Sequence, residues 1–246
     1  MLGLPEGVRA CLFDLDGVLT ETAEVHAAAW KETFDEFLAE HGDQDGRPFD
    51  AHSDYDEYVD GKSRLDGVRD FLASRHIELP EGSPEDPPSA MTVHGLATKK
   101  NELVQKRIHE FGVKAYPGSV DYVRAVRDHG LRSAVVSSSA NTAEVLRSAG
   151  IGELFEARVD GLVAEQEHLK GKPAPDTYLA AARMLEVTPA EAAVFEDALA
   201  GVAAGRAGGF GFVVGVDRVG QADALVSHGA DRVVKDLSDL MGDGNH

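Results

Sequence analysis

Apolar residues follow two rhythms along this chain, and the change comes near residue 114. Residues 8–13, VRACLF, form a short apolar run that passes directly into acidic residues, the pattern of a buried strand. From about residue 22 to 41, Val25, Ala28, Ala29, Phe34, Phe37 and Leu38 recur at roughly helical spacing. The stretch 42–114 reads as helical or irregular, with a helix carrying Leu103, Val104, Ile108 and Phe111. Within it, LPEGSPEDPPS at 79–89 has the composition of an exposed loop. After a YPGS turn at 116–119 the pattern becomes strand–helix alternation. A strand at 131–137 precedes helices at about 141–149 and 175–186, then come a strand at 192–197 and a helix at 198–207. A strand at 211–216, a helix over 221–228 and a last strand near DRVVKDL complete the series.

Apolar strands alternating with helices predict a parallel sheet covered on both faces. The fold class expected is α/β: a doubly wound, Rossmann-like parallel-sheet core with an inserted helical cap. The core takes residues 1–21 and 114–246, and the cap takes 22–113. No internal repeat is visible.

Composition narrows the partners. The chain has 43 acidic and 24 basic residues, a formal charge of −19, and such a field repels nucleic-acid phosphates and anionic membranes. No apolar stretch reaches the roughly 20 residues of a membrane span. The first residues lack the basic start and cleavage site of a signal peptide, so a cytoplasmic location is expected. The single cysteine, Cys11, lies in the first apolar run, where a thiol is buried and inert, and no intramolecular disulfide is possible. An anionic small substrate would need local positive charge from lysine, arginine, a metal ion or helix amino-termini.

In open α/β sheets, ligands collect at the carboxyl ends of the strands. The three best-marked strands deliver Asp14 and Asp16, then Ser137, then Glu196 and Asp197 to that edge, with Lys172 in a loop between the last two. Carboxylates crowded together raise one another's pKa and repel. A magnesium ion held by oxygen ligands resolves the conflict and suits phosphate chemistry.

FDLDGVLT, from Phe13 to Thr20, resembles the first signature of the haloacid-dehalogenase superfamily. Ser137, Lys172 and the Glu196–Asp197 pair stand where its second, third and fourth signatures belong. FDLDG alone also resembles the opening of a calcium loop, but that loop's remaining ligands and terminal Glu are missing. The resemblance implies Asp14 as nucleophile, Asp16 as acid and base, Ser137 as a phosphoryl-oxygen ligand and Lys172 as charge balance. It implies magnesium held by Asp14, the Asp16 carbonyl, Glu196 and Asp197. Gly17 would permit the sharp turn. A binding module derived from this fold would be expected to lose the nucleophile or the acid/base residue, and this chain has both.

The insertion is similar to the helical cap of the β-phosphoglucomutase branch. Thr22, His26 and Trp30 share one helix face at spacing four, a pattern that ordinary core packing also produces. GKSRLDG at 61–67 resembles that branch's phosphate-gripping loop, with Arg64 as ligand for the non-reacting phosphate. Lys100 and Asn101, KPAPD at 172–176, and SSSAN at 137–141 match as well, which brings Ser138, Ser139 and Asn141 into the substrate-binding set. Related mutases often have Lys where this chain has Ala140, so the grip on the distal phosphate is weaker or rearranged. The activity implied is a magnesium-dependent phosphohexomutase that interconverts β-glucose 1-phosphate and glucose 6-phosphate through an aspartyl-phosphate and a bisphosphate. The alternative is a sugar-phosphate phosphatase using the same core with water as acceptor. The partner expected is a phosphorylated sugar, with no nucleic acid or membrane, and the protein is expected to be a monomer.

Overall fold

Strand β1 (Ala10–Phe13) is the apolar run that ends in acidic residues, and every residue of it is buried. The structure, a computed structural model, describes residues 1–41 and 47–242. After β1 come helices α1 (Ala23–His41), α2 (Arg64–Ser74), α3 (Val93–Phe111) and α4 (Pro117–Asp128). Then β2 (Arg132–Val136), α5 (Thr142–Ser148), β3 (Ala157–Val159), α6 (Gly161–Gln166) and α7 (Asp176–Met184) follow. The chain continues through β4 (Ala192–Glu196), α8 (Leu199–Ala207), β5 (Phe212–Val216), α9 (Ala222–His228) and β6 (Arg232–Val234). Among the described residues no helix is long and apolar enough to cross a membrane.

The strands form one six-stranded parallel sheet in the order β3-β2-β1-β4-β5-β6. Sequence order therefore reverses at β1, which pairs with β2 on one side and β4 on the other. That is the topological switch point, where the loops on either side part and leave a crevice beyond the strand ends. Register puts Phe13 beside both Val135 and Phe195, so the residues just beyond all three strands leave the sheet at one level.

The chain divides into two compact units, Met1–Glu21 with the segment from Val113 onward, and Thr22–Gly112. The first unit's core is aliphatic, built from strand residues such as Leu12, Val136 and Val194 with Tyr178 and Val202 from the helices. The second unit's core is aromatic. Phe34 stacks on Trp30 at 5.0 Å, lies 4.1 Å from Phe71 and 5.2 Å from Phe49 between ring centroids.

Four local details differ from the pattern read in the sequence. The buried stripe of α1 is Ala29, Trp30, Thr33, Phe34, Phe37 and Leu38, whereas Ala28 is exposed and Val25 half-buried. Trp30 joins Phe34, Phe37, Phe49 and Phe71 in the aromatic core, and the smaller Ala28 stays outside it. YPGS opens a helix instead of a turn, because Pro117 sits at the first helical position, where its missing N–H costs nothing. Only residues 61–63 of GKSRLDG are loop; Ser63 accepts from the Asp66 amide as N-cap and Arg64 begins α2. Strand β3 and helix α6 are additional elements, too short for periodicity to mark them.

Phe34→Ala is expected to destabilise the second unit by about 3–5 kcal/mol, since it empties the centre of the aromatic cluster. Amide hydrogen exchange should accelerate across α1, α2 and α3, and unchanged protection there would contradict the packing described.

Candidate active site

The acidic centre follows from where the strands stop. The Asp14 amide donates to the Phe195 carbonyl at 3.0 Å, so the ladder between β1 and β4 runs up to the first acidic residue. Glu196 is the last residue of β4 and fully buried, and Asp197 follows it. Oxygens of Asp14, Glu196 and Asp197 all lie within 4.8 Å of one another, and all three residues are buried.

Lys172 threads into this cluster. Its ammonium donates to Asp14 Oδ1 at 2.6 Å, to the Val136 carbonyl at 3.2 Å and to Glu196 Oε1. One cation thus ties the carboxyl ends of β1, β2 and β4. Burial works against its charge, but the Asp14 and Glu196 carboxylates outweigh it and hold the ammonium above its ordinary pKa. Burial pushes the Asp14 carboxyl well above the usual carboxylate range; Lys172 opposes that rise, while Glu196 and Asp16 add to it. Three buried carboxylates thus gather around one ammonium.

A divalent cation fits the residues present. Three buried carboxylates offer hard oxygen atoms at one place, the donor type that magnesium selects. Two glycines leave room for these carboxylates. Gly17 has φ of +91°, and a Cβ on it would overlap the Asp197 carboxylate; a Cβ on Gly201 would overlap that of Glu196. Asp14, Glu196 and Asp197 would hold the ion, which would offset the charge excess that Lys172 leaves.

The remaining expected residues of this unit lie on the loops around the cluster. Ser137, buried just beyond β2, donates from Oγ to Asp16 Oδ2 at 3.4 Å and accepts from the Ser139 amide at 3.1 Å. Ser139 Oγ accepts from the Asn141 amide at 3.1 Å, and its carbonyl accepts from Thr142 Oγ1 at 2.8 Å. These bonds set the course of Ser137–Asn141, on which Ser138 and Ser139 are half-buried and Asn141 is buried. The side-chain cluster holds the carboxylates of Asp14, Glu196 and Asp197, while the Asp16 carboxyl faces Ser137.

The second unit brings three of its expected residues together. Lys100, buried on α3, ends 2.9 Å from His26 Nδ1 and 4.7 Å above the Trp30 ring. An ammonium has only donors, so beside it His26 Nδ1 stands as an acceptor. Thr22 is buried immediately before α1, and its carbonyl accepts from the His26 amide at 3.0 Å. Arg64 and Asn101 are half-buried at the start of α2 and on α3.

One member of the cluster was missed. Tyr178, fully buried on α7, donates its hydroxyl to Glu196 Oε1 at 3.0 Å, and its ring centre lies 5.0 Å from the Lys172 ammonium. Burial and the neighbouring Glu196 charge push its phenol pKa upward. Its signal in the sequence was position: it stands in the first turn of the helix that follows KPAPD.

A switch-point crevice holding strand-end carboxylates around a buried lysine defines an α/β enzyme of the doubly wound class. The chain belongs to the haloacid dehalogenase-like hydrolases, whose family model matches residues 8–209, and within them to the β-phosphoglucomutase-like branch. It is 56% identical over 247 residues to proteins named beta-phosphoglucomutase in Mycobacterium bovis and Mycobacterium tuberculosis, an alignment covering 98% of this chain and 94% of theirs. A beta-phosphoglucomutase of Bacillus subtilis is 36% identical over 95% of this chain and 92% of its own. Among solved structures, beta-phosphoglucomutase from Clostridium difficile superposes with a TM-score of 0.76 at 26% identity, covering 95% of this chain and 93% of that one.

Lys172→Met is expected to cost about 3–5 kcal/mol, because it strands two buried carboxylates. Tyr178→Phe, which removes one hydrogen bond and leaves the ion pairs, should cost about 1 kcal/mol. Urea midpoints measured without divalent cation check the order; equal losses would contradict a centre held by Lys172.

Proposed function

We propose that the protein is a magnesium-dependent phosphohexomutase that interconverts β-glucose 1-phosphate and glucose 6-phosphate through an aspartyl-phosphate and a bisphosphate. The observation that carries the reading is the position of Asp14: a buried carboxylate at the switch point, held by Lys172 and flanked by Glu196 and Asp197. Similarity to mycobacterial mutases along nearly the whole chain supports a sugar phosphate as substrate and transfer between two positions of one sugar.

In this mechanism an Asp14 oxygen bonds to phosphorus as the bond to the leaving oxygen breaks. Asp16 gives that oxygen its proton and later takes one from the acceptor hydroxyl, which attacks the aspartyl-phosphate and frees Asp14. Lys172 fixes the attacking carboxylate, and Ser137 donates to a phosphoryl oxygen. Magnesium, when bound, supplies positive charge that stabilises the transferring group. A second phosphoryl site keeps the bisphosphate held while it changes ends. Thr22, His26, Trp30, Arg64, Lys100, Asn101, Ser138, Ser139 and Asn141 are proposed as substrate-binding residues, with Arg64 on the non-reacting phosphate. The second unit is proposed as the cap that sets substrate specificity, and a cytoplasmic, monomeric enzyme is part of the same reading.

The hydrolase chemistry of the family favours one second reading, a sugar-phosphate phosphatase in which water accepts the phosphoryl group. Products separate the two. With β-glucose 1-phosphate, magnesium and catalytic bisphosphate, glucose 6-phosphate should form faster than free phosphate. The reverse order would make the protein a phosphatase. Asp14→Asn should abolish both products, and a variant retaining full turnover would remove Asp14 as nucleophile.

A further inference from the structure

The loop leaving β5 carries two side chains that the mechanism above does not use, and both end on the backbone of the acidic centre. Arg218 donates from Nε to the Gly17 carbonyl at 2.8 Å and from Nη2 to the Val18 carbonyl at 3.4 Å. Its Nη1 donates to the Lys235 carbonyl at 2.9 Å and to Asp236 Oδ2 at 3.3 Å, and the guanidinium lies 3.7 Å from the centre of the Tyr116 ring. Three residues further on, Gln221 Nε2 donates to the Asp197 carbonyl at 3.0 Å. The loop itself is fixed, because Asp217 Oδ1 accepts from the amides of Gly220 and Gln221, each at 2.7 Å.

Gly17 transmits this grip. Its N–H donates to the Thr20 carbonyl at 2.8 Å, so Arg218 on its carbonyl clamps the residue from the other side. Its α-carbon sits so close to the Asp197 carboxylate that a Cβ has no room. A shift of Gly17 therefore moves the adjacent Asp16 backbone and presses on Asp197. Gln221 holds the same aspartate by its own carbonyl.

We propose that Arg218 and Gln221 are positioning residues for the divalent cation, bracing the Gly17 turn and Asp197 at the spacing the ion requires. The inference rests on the magnesium-dependent reading of the site. Magnesium demands near-octahedral geometry at short oxygen distances, so slack in the loops that carry its ligands lowers affinity. Arginine suits the task because its planar fork reaches acceptors in several directions at once while its face rests on Tyr116. A lysine there reaches fewer of them.

Calorimetric titration of magnesium chloride into the wild type, Arg218→Met, Arg218→Lys and Gln221→Met tests the brace, with far-ultraviolet circular dichroism to confirm folding. Arg218→Met should bind magnesium at least about tenfold more weakly, the range known for groups that orient metal ligands. Arg218→Lys should recover part of the loss, and Gln221→Met should show a smaller one. A folded Arg218→Met with wild-type affinity overturns the proposal. If that variant does not fold, wild-type affinity in both Arg218→Lys and Gln221→Met overturns it equally. A wild type that takes up no magnesium overturns the brace and the magnesium-dependent function together, whereas variants that match a magnesium-binding wild type sink the brace alone.

Discussion

The structure turns on one buried ammonium. Lys172 reaches the carboxyl ends of three neighbouring strands through Asp14, the Val136 carbonyl and Glu196. Carboxylates in a dry interior are tolerable only when paired and hydrogen-bonded. The second oxygen of Glu196 is satisfied by the Ala198 amide, and the Tyr178 hydroxyl shares the first with Lys172. The Glu196 carboxylate is thus satisfied by side chains from α7 and its preceding loop and by the amide just beyond β4. Tyr178 consequently belongs both to the first unit's core and to its acidic centre.

Topology explains why those particular residues meet. Because β1 lies between β2 and β4, a single registered edge delivers residues from three distant parts of the chain: Asp14, Ser137 and Glu196. Two glycines of the centre stand where carboxylates already fill the space a side chain would need. At Gly17 the excluded volume belongs to Asp197, and at Gly201 it belongs to Glu196. These are packing constraints on the acidic cluster more than demands of backbone flexibility, although Gly17 also has positive φ.

What was legible in the sequence follows the same physics. Fully apolar strands ending in acids mark themselves by composition, so β1, β4 and the residues beyond them can be placed from the order of residues alone. The alternation of strands and helices likewise implies the doubly wound parallel sheet. Strand β3 escaped because ARV is three residues with a charge at the centre, which no periodicity can mark. Helix α4 escaped because Pro-Gly reads as a turn, although proline is equally at home at a helix start. Tyr178 and Arg218 escaped for another reason. Their partners are a carboxylate 18 residues away and carbonyls about 200 residues away, and nothing local announces such pairings.

Each unit pairs a buried cation with carboxylate. In the first, Lys172 is matched by full carboxylate charges and is held in place by them. In the second, Arg75 is matched by Asp54 in a buried pair at 2.8 Å, an arrangement that clasps the end of helix α2 to the segment before it. Lys100 also meets Nδ1 of His26 and the face of Trp30. Imidazole and indole attract a cation without cancelling its charge. Lys172, by contrast, lies among carboxylates that match its charge. Lys172 thus acts on the acidic centre through full charges, whereas Lys100 also meets an imidazole nitrogen and an aromatic face.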